Sequence, residues 1–376
     1  MNYKKVAGDI GNDGLKMYLG NQKNRLYIPN VIAAVEKRDI IDMEQDILSG
    51  LHVQVVSGAL KKGKGSFAVG KLASGYKSND ELTPDSEKSE SDQPIIVLLT
   101  GLAYDAATSF EPVNGTIEVT YDLSTGLPLN EVKRGKRKSF KEKLLNNYHE
   151  VTFLQTPELE GMKVRIRFEH VLVNTEGVAA LVDLTTNDDG SLRNEELTKM
   201  DVLIQDIGGL STDAAIIMKD GSVDNLHSEG IREGVSPYLD EINEAVEQEY
   251  KMTYFKSRKE IVDCLTHPDS EERGHIWIKG KRTSIQHIYK PILTRLAKEE
   301  YKLVNKLWGR VRSIRRAYLI GGGALILRPY IEKINQEQDE LPLYFIDSDD
   351  SIWMIARAYF KLLEMYLEQK ELTETK

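Results

Sequence analysis

The chain has 376 residues, too many for one ordinary domain and suited to two of middling size. Hydrophobic residues make up 40% and charged residues 29%, which excludes a disordered or fibrous chain, and no stretch approaches the roughly 20 apolar residues of a membrane span. A formal charge of −9 excludes a global basic field for nucleic acid, and a single cysteine, Cys264, excludes an internal disulfide and a cysteine-based zinc site.

The apolar run at the amino end is too short for a signal sequence and meets Asp9, so a cytoplasmic, reducing compartment is expected. Residues 5–10 read as a short strand stopping at Gly11, and residues 14–19 as its hairpin partner across a tight turn. Residues 26–28, 53–56 and 67–69 are further short strands. Residues 77–94 hold six acids against two lysines, with two prolines and no apolar periodicity; a mobile surface loop or a short helix start is expected. Residues 95–107 read as a buried helix. Residues 115–124 alternate as a strand that Gly126-Leu127-Pro128 breaks, residues 140–147 are helical, and residues 149–153 and 164–173 return to strand. A helix start is expected over 176–183. Residues 202–206 form a near-continuous apolar run, the pattern of a buried parallel strand, and 214–218 follow after a polar turn. Residues 239–254 and 285–308 are long amphipathic helices. Residues 317–320 form a buried strand running into Gly321-Gly322-Gly323, and 352–367 a final helix. Strands and helices alternate in both halves, so the fold is α/β.

Two segments echo each other. Asp9-Ile10-Gly11-Asn12-Asp13-Gly14-Leu15-Lys16 and Asp206-Ile207-Gly208-Gly209-Leu210-Ser211-Thr212-Asp213 both read strand, Asp-Ile-Gly, polar turn, strand. A repeat inside one chain indicates duplicated units, here two similar halves around a cleft. A tight Gly-rich hairpin presents backbone N–H groups as a concave nest for an anion, which bulky side chains would block. An aspartate ending the preceding strand can hold magnesium through water, since magnesium keeps several of its waters. Lys16 adds a point charge for a phosphate oxygen, and Ser211 and Thr212 add hydroxyl donors. One Asp-x-Gly turn is a weak signal, because both residues favour turns anyway. Two matched copies and a third Gly-rich turn after a buried strand are a much stronger one. That third turn reads as a helix entry or, better at the end of a buried strand, as a close backbone approach to a ligand.

This set of motifs resembles the actin, Hsp70 and sugar-kinase superfamily. The two loops are similar to its first and second phosphate motifs, and Leu319-Ile320-Gly321-Gly322-Gly323-Ala324 to its adenosine motif. Within the superfamily the chain looks like the bacterial actin-like proteins of ParM type, which segregate plasmids. The narrower likeness is carried by Leu123-Ser124-Thr125-Gly126-Leu127-Pro128, Phe67-Ala68-Val69-Gly70-Lys71-Leu72-Ala73, His149-Glu150-Val151-Thr152-Phe153 and Val173-Asn174-Thr175-Glu176-Gly177-Val178-Ala179-Ala180.

The resemblance implies an actin-like fold of two duplicated RNase H-like domains around a nucleotide cleft. Residues 1–185 with the last helix, 346–376, would form domain I and residues 186–345 domain II, with insertions near 30–95 and 222–285 as smaller subdomains. It implies hydrolysis of ATP, or GTP, with Mg2+ flanked by Asp9 and Asp206. Gly11, Asn12, Asp13, Gly14 and Lys16 would hold the phosphates from one side, and Gly208, Gly209, Leu210, Ser211 and Thr212 from the other. Gly321, Gly322, Gly323 and Ala324 would line the adenosine. Glu176 falls where the family orients the attacking water, and Asp213 lies near that water. The partners implied are further copies of the chain in a filament and a DNA-binding adaptor protein at a centromere-like site, with no membrane and no direct nucleic-acid contact. Other readings of the same residues are a non-polymerising kinase or chaperone-like ATPase and a nucleotide-sensing scaffold without turnover. Locally, Asp9 and Asp206 can also be turn caps, Lys16 an exposed hairpin lysine, and Glu176 a glutamate favoured by a helix N-terminus.

Two charge runs stand outside these motifs. Residues 133–143 carry seven basic side chains against one acid, open to three readings: DNA binding, a solvated loop, or a subunit contact opposite acids such as those of 80–92. Asp347, Asp349 and Asp350 precede the last helix and read as its N-terminal acids or, alternatively, as a metal site. The histidines lack metal-ligand spacing.

Overall fold

The computed structural model describes residues 2–21, 23–38, 46–76, 78–80, 82, 86–338, 340–346 and 348–374. The chain divides into two units, residues 1–193 with 353–376 and residues 194–352.

The first unit is built on one mixed sheet. The strands β1 (Asn2–Ile10), β2 (Gly14–Tyr18) and β3 (Arg25–Pro29) form an antiparallel meander. After them come β4 (Ile32–Ala34), β5 (His52–Ser57), β6 (Lys64–Val69), the short helix α1 (Lys71–Ser74) and the long helix α2 (Asp92–Ser109). Next are β7 (Thr116–Leu127), α3 (Leu129–Lys133), α4 (Lys136–Leu145), β8 (His149–Phe153), β9 (Lys163–Thr175) and α5 (Ala180–Thr185). Among the described residues the sheet has nine strands in the order β3-β2-β1-β7-β9-β8-β5-β6-β4. The three central strands β1, β7 and β9 run parallel. Helix α2 is apolar nearly all round and is buried along most of its length, as such a helix must be. Gly101 lets it press onto the sheet, for a Cβ there would stand 2.7 Å from Met17 Sδ.

The second unit opens with β10 (Asp201–Ile207), β11 (Thr212–Ile217) and β12 (Glu229–Ile231). Helices α6 (Ser236–Tyr250) and α7 (Arg258–Leu265) and the hairpin β13 (His275–Ile278) and β14 (Lys281–Ser284) follow. Then come α8 (Gln286–Arg310), β15 (Ile314–Ile320), α9 (Gly321–Glu337) and β16 (Leu343–Phe345). The five-stranded sheet runs β12-β11-β10-β15-β16 among the described residues. The last helix, α10 (Ser348–Glu374), belongs to the first unit from Trp353 onward. Asp183 of α5, fully buried, anchors it there by accepting from Arg357 Nε at 2.7 Å and Lys361 Nζ at 2.9 Å.

Several expected elements shift. Within residues 30–95, β4, β5 and β6 extend the main sheet through the β5–β8 pairing. β7 runs on through Gly126 and stops only at Pro128. Glu176 stands in a turn, with Gly177 at φ +73°, and the helix starts at Ala180. The helix expected over 239–254 ends at Tyr250, because Lys251 takes a left-handed φ of 55° and its N–H closes back on Glu247. Asp347 lies outside the described residues, as do residues 77, 81 and 83–85 of the acidic segment; Asp349 and Asp350 stand in the first turn of α10. Among the described residues no helix is long and apolar enough to cross a membrane.

Candidate functional site

The echoed loops are built alike. β1 pairs antiparallel with β2 and parallel with β7; β10 pairs antiparallel with β11 and parallel with β15. Each hairpin is closed by the same bond at the same place, Gly11 N to Gly14 O and Gly208 N to Ser211 O, both 2.9 Å. The register puts Lys16 opposite Asp9 and Asp213 opposite Asp206. The two aspartates are thus equivalent, and each has a charged residue facing it across the ladder.

In the first loop Lys16 is only 8% exposed, so it is not a free surface lysine. Its ammonium reaches Asp13 Oδ1 at 2.9 Å and Oδ2 at 3.1 Å. Burial would lower its pKa, but the carboxylates of Asp13 and Asp9 outweigh burial and hold it above the usual lysine value. Asp9 is half-buried, and burial pushes its carboxyl up against the pull of Lys16 and Lys88. Gly14 is required by space, and Gly11 is crowded by a neighbouring carboxylate. A Cβ at Gly11 would stand 2.7 Å from Asp13 Oδ1, and one at Gly14 would overlap the Tyr27 ring. The buried Asn30 braces the loop from behind, its Nδ2 donating to Gly11 O at 2.9 Å and its N–H to Asp13 O at 3.2 Å.

The second loop rests on the start of α6, where Val235 N–H donates to Gly208 O at 3.1 Å and Ser236 N–H to Gly209 O at 2.7 Å. Gly234 permits this approach, since a Cβ there would sit 2.5 Å from Gly209 O. Thr212 departs from its expected role. Its hydroxyl donates to Glu300 Oε1 of α8 at 2.8 Å, and Gln205 Nε2 donates to Glu300 Oε2 at 2.5 Å. Alternation along a strand explains this: Gln205, Ile207 and Thr212 share the face opposite Asp206 and Asp213. Leu210 is 6% exposed and Asp213 4%, while Ser211, Gly208 and Gly209 are half-buried.

The third turn divides its glycines between two duties. Gly321 has φ +86°, and a Cβ there would overlap Asp206 Oδ1; one at Gly323 would lie 2.6 Å from Ile207 Cγ2. Those two glycines accommodate the end of β10, and only Gly322 faces open space. All three form the first turn of α9, so the turn is a helix entry. Ala324, expected at the adenosine, is 1% exposed and packs in the core of the second unit.

Glu176, expected to orient water, is ion-paired to Lys88, whose side chain is 4% exposed. Burial pushes the Glu176 carboxyl up against the pull of Lys88; burial would lower Lys88, and Glu176 and Asp9 hold it above the usual lysine range. Lys88, Glu176 and Asp9 therefore form one charged cluster within the first unit. Asp9 and Asp206 offer hard carboxylate oxygens. Among the described residues no three His, Cys, Asp or Glu side chains gather as a metal cage. Each carboxylate by itself is the kind of hard oxygen ligand that a magnesium ion takes beside phosphate oxygens and several waters.

Residues 7–178 match the family of actin-like protein N-terminal domains, and residues 201–342 the Alp7A C-terminal domain family. The chain belongs to the actin-like proteins. Its structure is similar to Bacillus thuringiensis ParM with ATP, at TM-score 0.74 and 24% identity, covering 97% of this chain and 100% of that one. The crystal structure of the actin-like protein Alp7A is similar at TM-score 0.79 and 18% identity, covering 100% of this chain and 99% of the other. ParM from a 15-stranded Clostridium botulinum filament is similar at TM-score 0.72 and 19% identity, covering 97% of this chain and 100% of that one. These likenesses show the actin-like fold. No curated protein matches the chain in sequence.

In this actin-like protein the sequence pattern missed Lys88, Asn30, Gly234 and Glu300. Gly234 carries a readable signal, a glycine just before Val235-Ser236-Pro237 at a helix start. Lys88 carries none, standing in an acidic run that composition marks as a loop. The basic run of 133–143 also finds its partners inside the first unit: Arg134 pairs with Glu87, Lys136 with Glu90 at 2.9 Å, and Lys143 with Glu90 at 3.5 Å. Glu87 and Glu90 of the acidic stretch 80–92 are thus engaged within the chain itself.

Proposed function

We propose that this actin-like protein is a magnesium-dependent ATPase, able also to take GTP, that polymerises with its own copies in the cytoplasm to segregate or position plasmid or phage DNA. The observation that carries the reading is the pair of identically closed Asp-Ile-Gly loops, one in each unit. Both loops are proposed to act on one nucleotide, from domains made of residues 1–185 with 346–376 and of residues 186–345, with 30–95 and 222–285 as smaller parts. Asp9 and Asp206 would hold Mg2+, which when bound neutralises phosphate charge. Gly11, Asn12, Asp13 and Gly14 in one loop, and Gly208, Gly209, Leu210 and Ser211 in the other, would present backbone N–H groups to the phosphates. Lys16 sits beside Asp9 as a phosphate-facing charge, Glu176 accepts a hydrogen bond from the attacking water, and Gly322 offers the open surface at the adenosine side. Phosphoryl transfer needs such positioning and charge more than covalent chemistry. The similar ParM structures were solved with ATP, with AMPPNP and with ADP, and one comes from a filament, which supports both halves of the reading. A head-to-tail contact that does not close generates a filament. A DNA-binding adaptor protein would couple it to cargo. Phosphate release and sedimentation with ATP and with GTP, followed by negative-stain microscopy, test it. Failure to release phosphate or to pellet with either nucleotide would overturn the ATPase or the filament reading respectively.

A further inference from the structure

The segment 86–91 is held far more firmly than its composition suggests. Glu131 of α3, 4% exposed, accepts two successive backbone N–H groups from it, Lys88 N to Oε1 at 2.8 Å and Ser89 N to Oε2 at 2.9 Å. Lys143 of α4 donates to Ser89 O at 2.6 Å. Around this sit the ion pairs of Glu87 with Arg134 and of Glu90 with Lys136 and Lys143. Single exposed pairs contribute little, but here several converge on a few residues whose backbone is already fixed by a buried carboxylate. The same basic helix braces the other side: Arg137 Nη2 donates to Thr175 Oγ1 at 2.8 Å, one residue before Glu176. Lys88 stands at the middle of the segment, with its ammonium buried on Glu176.

We propose that residues 86–91 act as a strap that positions Glu176 through Lys88, and that the basic run of α3 and α4 is the clip that fastens the strap. Lys88 is a positioning residue: it fixes the direction of the Glu176 carboxylate, which in turn orients the attacking water. The clip sets where the Lys88 backbone stands and therefore where its ammonium can reach. This gives Arg134, Lys136, Arg137 and Lys143 of the basic run a role within one chain. It rests on the hydrolytic role given to Glu176 above.

The test uses the full chain, with single-turnover and steady-state phosphate release and binding of a fluorescent ATP analogue. Lys88→Met should lower kcat about 10-fold or more while KM and analogue affinity change by no more than about threefold. Removing one partner leaves a buried charge alone, so the pair is also changed together; Lys88→Met with Glu176→Gln removes both charges and should fold. In the Glu176→Gln background Lys88→Met should cost no further rate, because both act through one carboxylate. Full additivity would overturn the proposal. On the clip, Arg134→Glu should lower kcat, and adding Glu87→Arg should recover it. A parental kcat in Lys88→Met, in a chain that hydrolyses ATP, sinks the strap alone; no hydrolysis by the parent chain sinks the ATPase reading instead.

Discussion

Gly321 packs against Asp206, and the left-handed φ of +86° at Gly321 leaves the Asp206 carboxylate the space that any side chain would fill. The neighbouring Gly322 has open space around its Cα. Gly321→Ala should therefore lower stability by about 1–3 kcal/mol, from the positive φ and the overlap together. Gly322→Ala should change it by less than about 0.5 kcal/mol. Urea unfolding of the two variants checks this, and equal losses would show that the close approach is not needed.

Asp206→Ala should abolish magnesium-dependent phosphate release, as should chelation of the metal by EDTA in the parent chain. The equivalent aspartate, Asp9, should behave the same way, because the two strand ends are built alike. Phosphate release at the parental rate by Asp206→Ala would remove this residue from the metal.

Which features could be read from the sequence follows from how far apart the interacting residues lie. The Asp-Ile-Gly loops are local: a strand end, a glycine and a four-residue closure all fall within one window, so turn chemistry reveals them. Lys88 meets Glu176 across 88 positions, and Lys136 meets Glu90 across 46. Complementary charge was visible in both runs, but nothing in composition says whether such runs meet within one chain or between two. Thr212 failed differently. Strand alternation already separates it from Asp206 and Asp213, yet a hydroxyl in a Gly-rich turn reads as a phosphate donor until Glu300 is seen behind it. Lys16 sits on a short hairpin whose burial depends on packing from outside that window; its ammonium reaches Asp13 and lies 6.0 Å from the centre of the Tyr27 ring.

Glu176→Ala should separate binding from turnover. Losing a group that orients water lowers the rate by about 10²-fold or more while nucleotide affinity stays similar. If filaments form, they should then persist longer after nucleotide addition, and light scattering can follow their decay. Normal turnover in this variant would move the water-orienting role to another residue, with Asp213 the next candidate.

Glu300 gives the second unit a pH dependence. Burial pushes its carboxyl up to about 7 from 4.5, despite hydrogen bonds from Thr212 and Gln205 that favour the charged form. Between those two values the folded chain binds more protons at this site than the unfolded chain does. Stability therefore falls as pH rises through that window and levels off above it. The loss at this site is roughly 3 kcal/mol at most. Glu300→Gln cannot titrate, so the difference in urea stability between variant and parent should shift in favour of the variant from pH 5 to pH 8, a range chosen to span the window of about 4.5 to 7. A difference that stays constant over that range would show that Glu300 titrates normally.

Asp183 ties the C-terminal helix to the first unit. Its carboxylate is fully buried and accepts from Arg357 through Nε at 2.7 Å and from Lys361 at 2.9 Å, and both cations are nearly buried themselves. Lys361 also donates to Thr186 O at 2.8 Å, so the cluster joins side chains to the backbone end of α5. A buried ion cluster adds little net stability compared with apolar packing, but removing Asp183 takes the buried acid away from two nearly buried cations, with Asp188, 3.6 Å from Lys361, largely exposed. Asp183→Ala should cost about 3–5 kcal/mol. It should also loosen α10, exposing its Met354–Leu367 stretch to limited proteolysis before the rest of the unit is cut. Replacing all three residues, Asp183→Leu with Arg357→Met and Lys361→Met, should recover most of that stability, since no charge is then left buried. If the single and triple variants unfold at the same urea concentration, the loss comes from packing and not from the stranded cations.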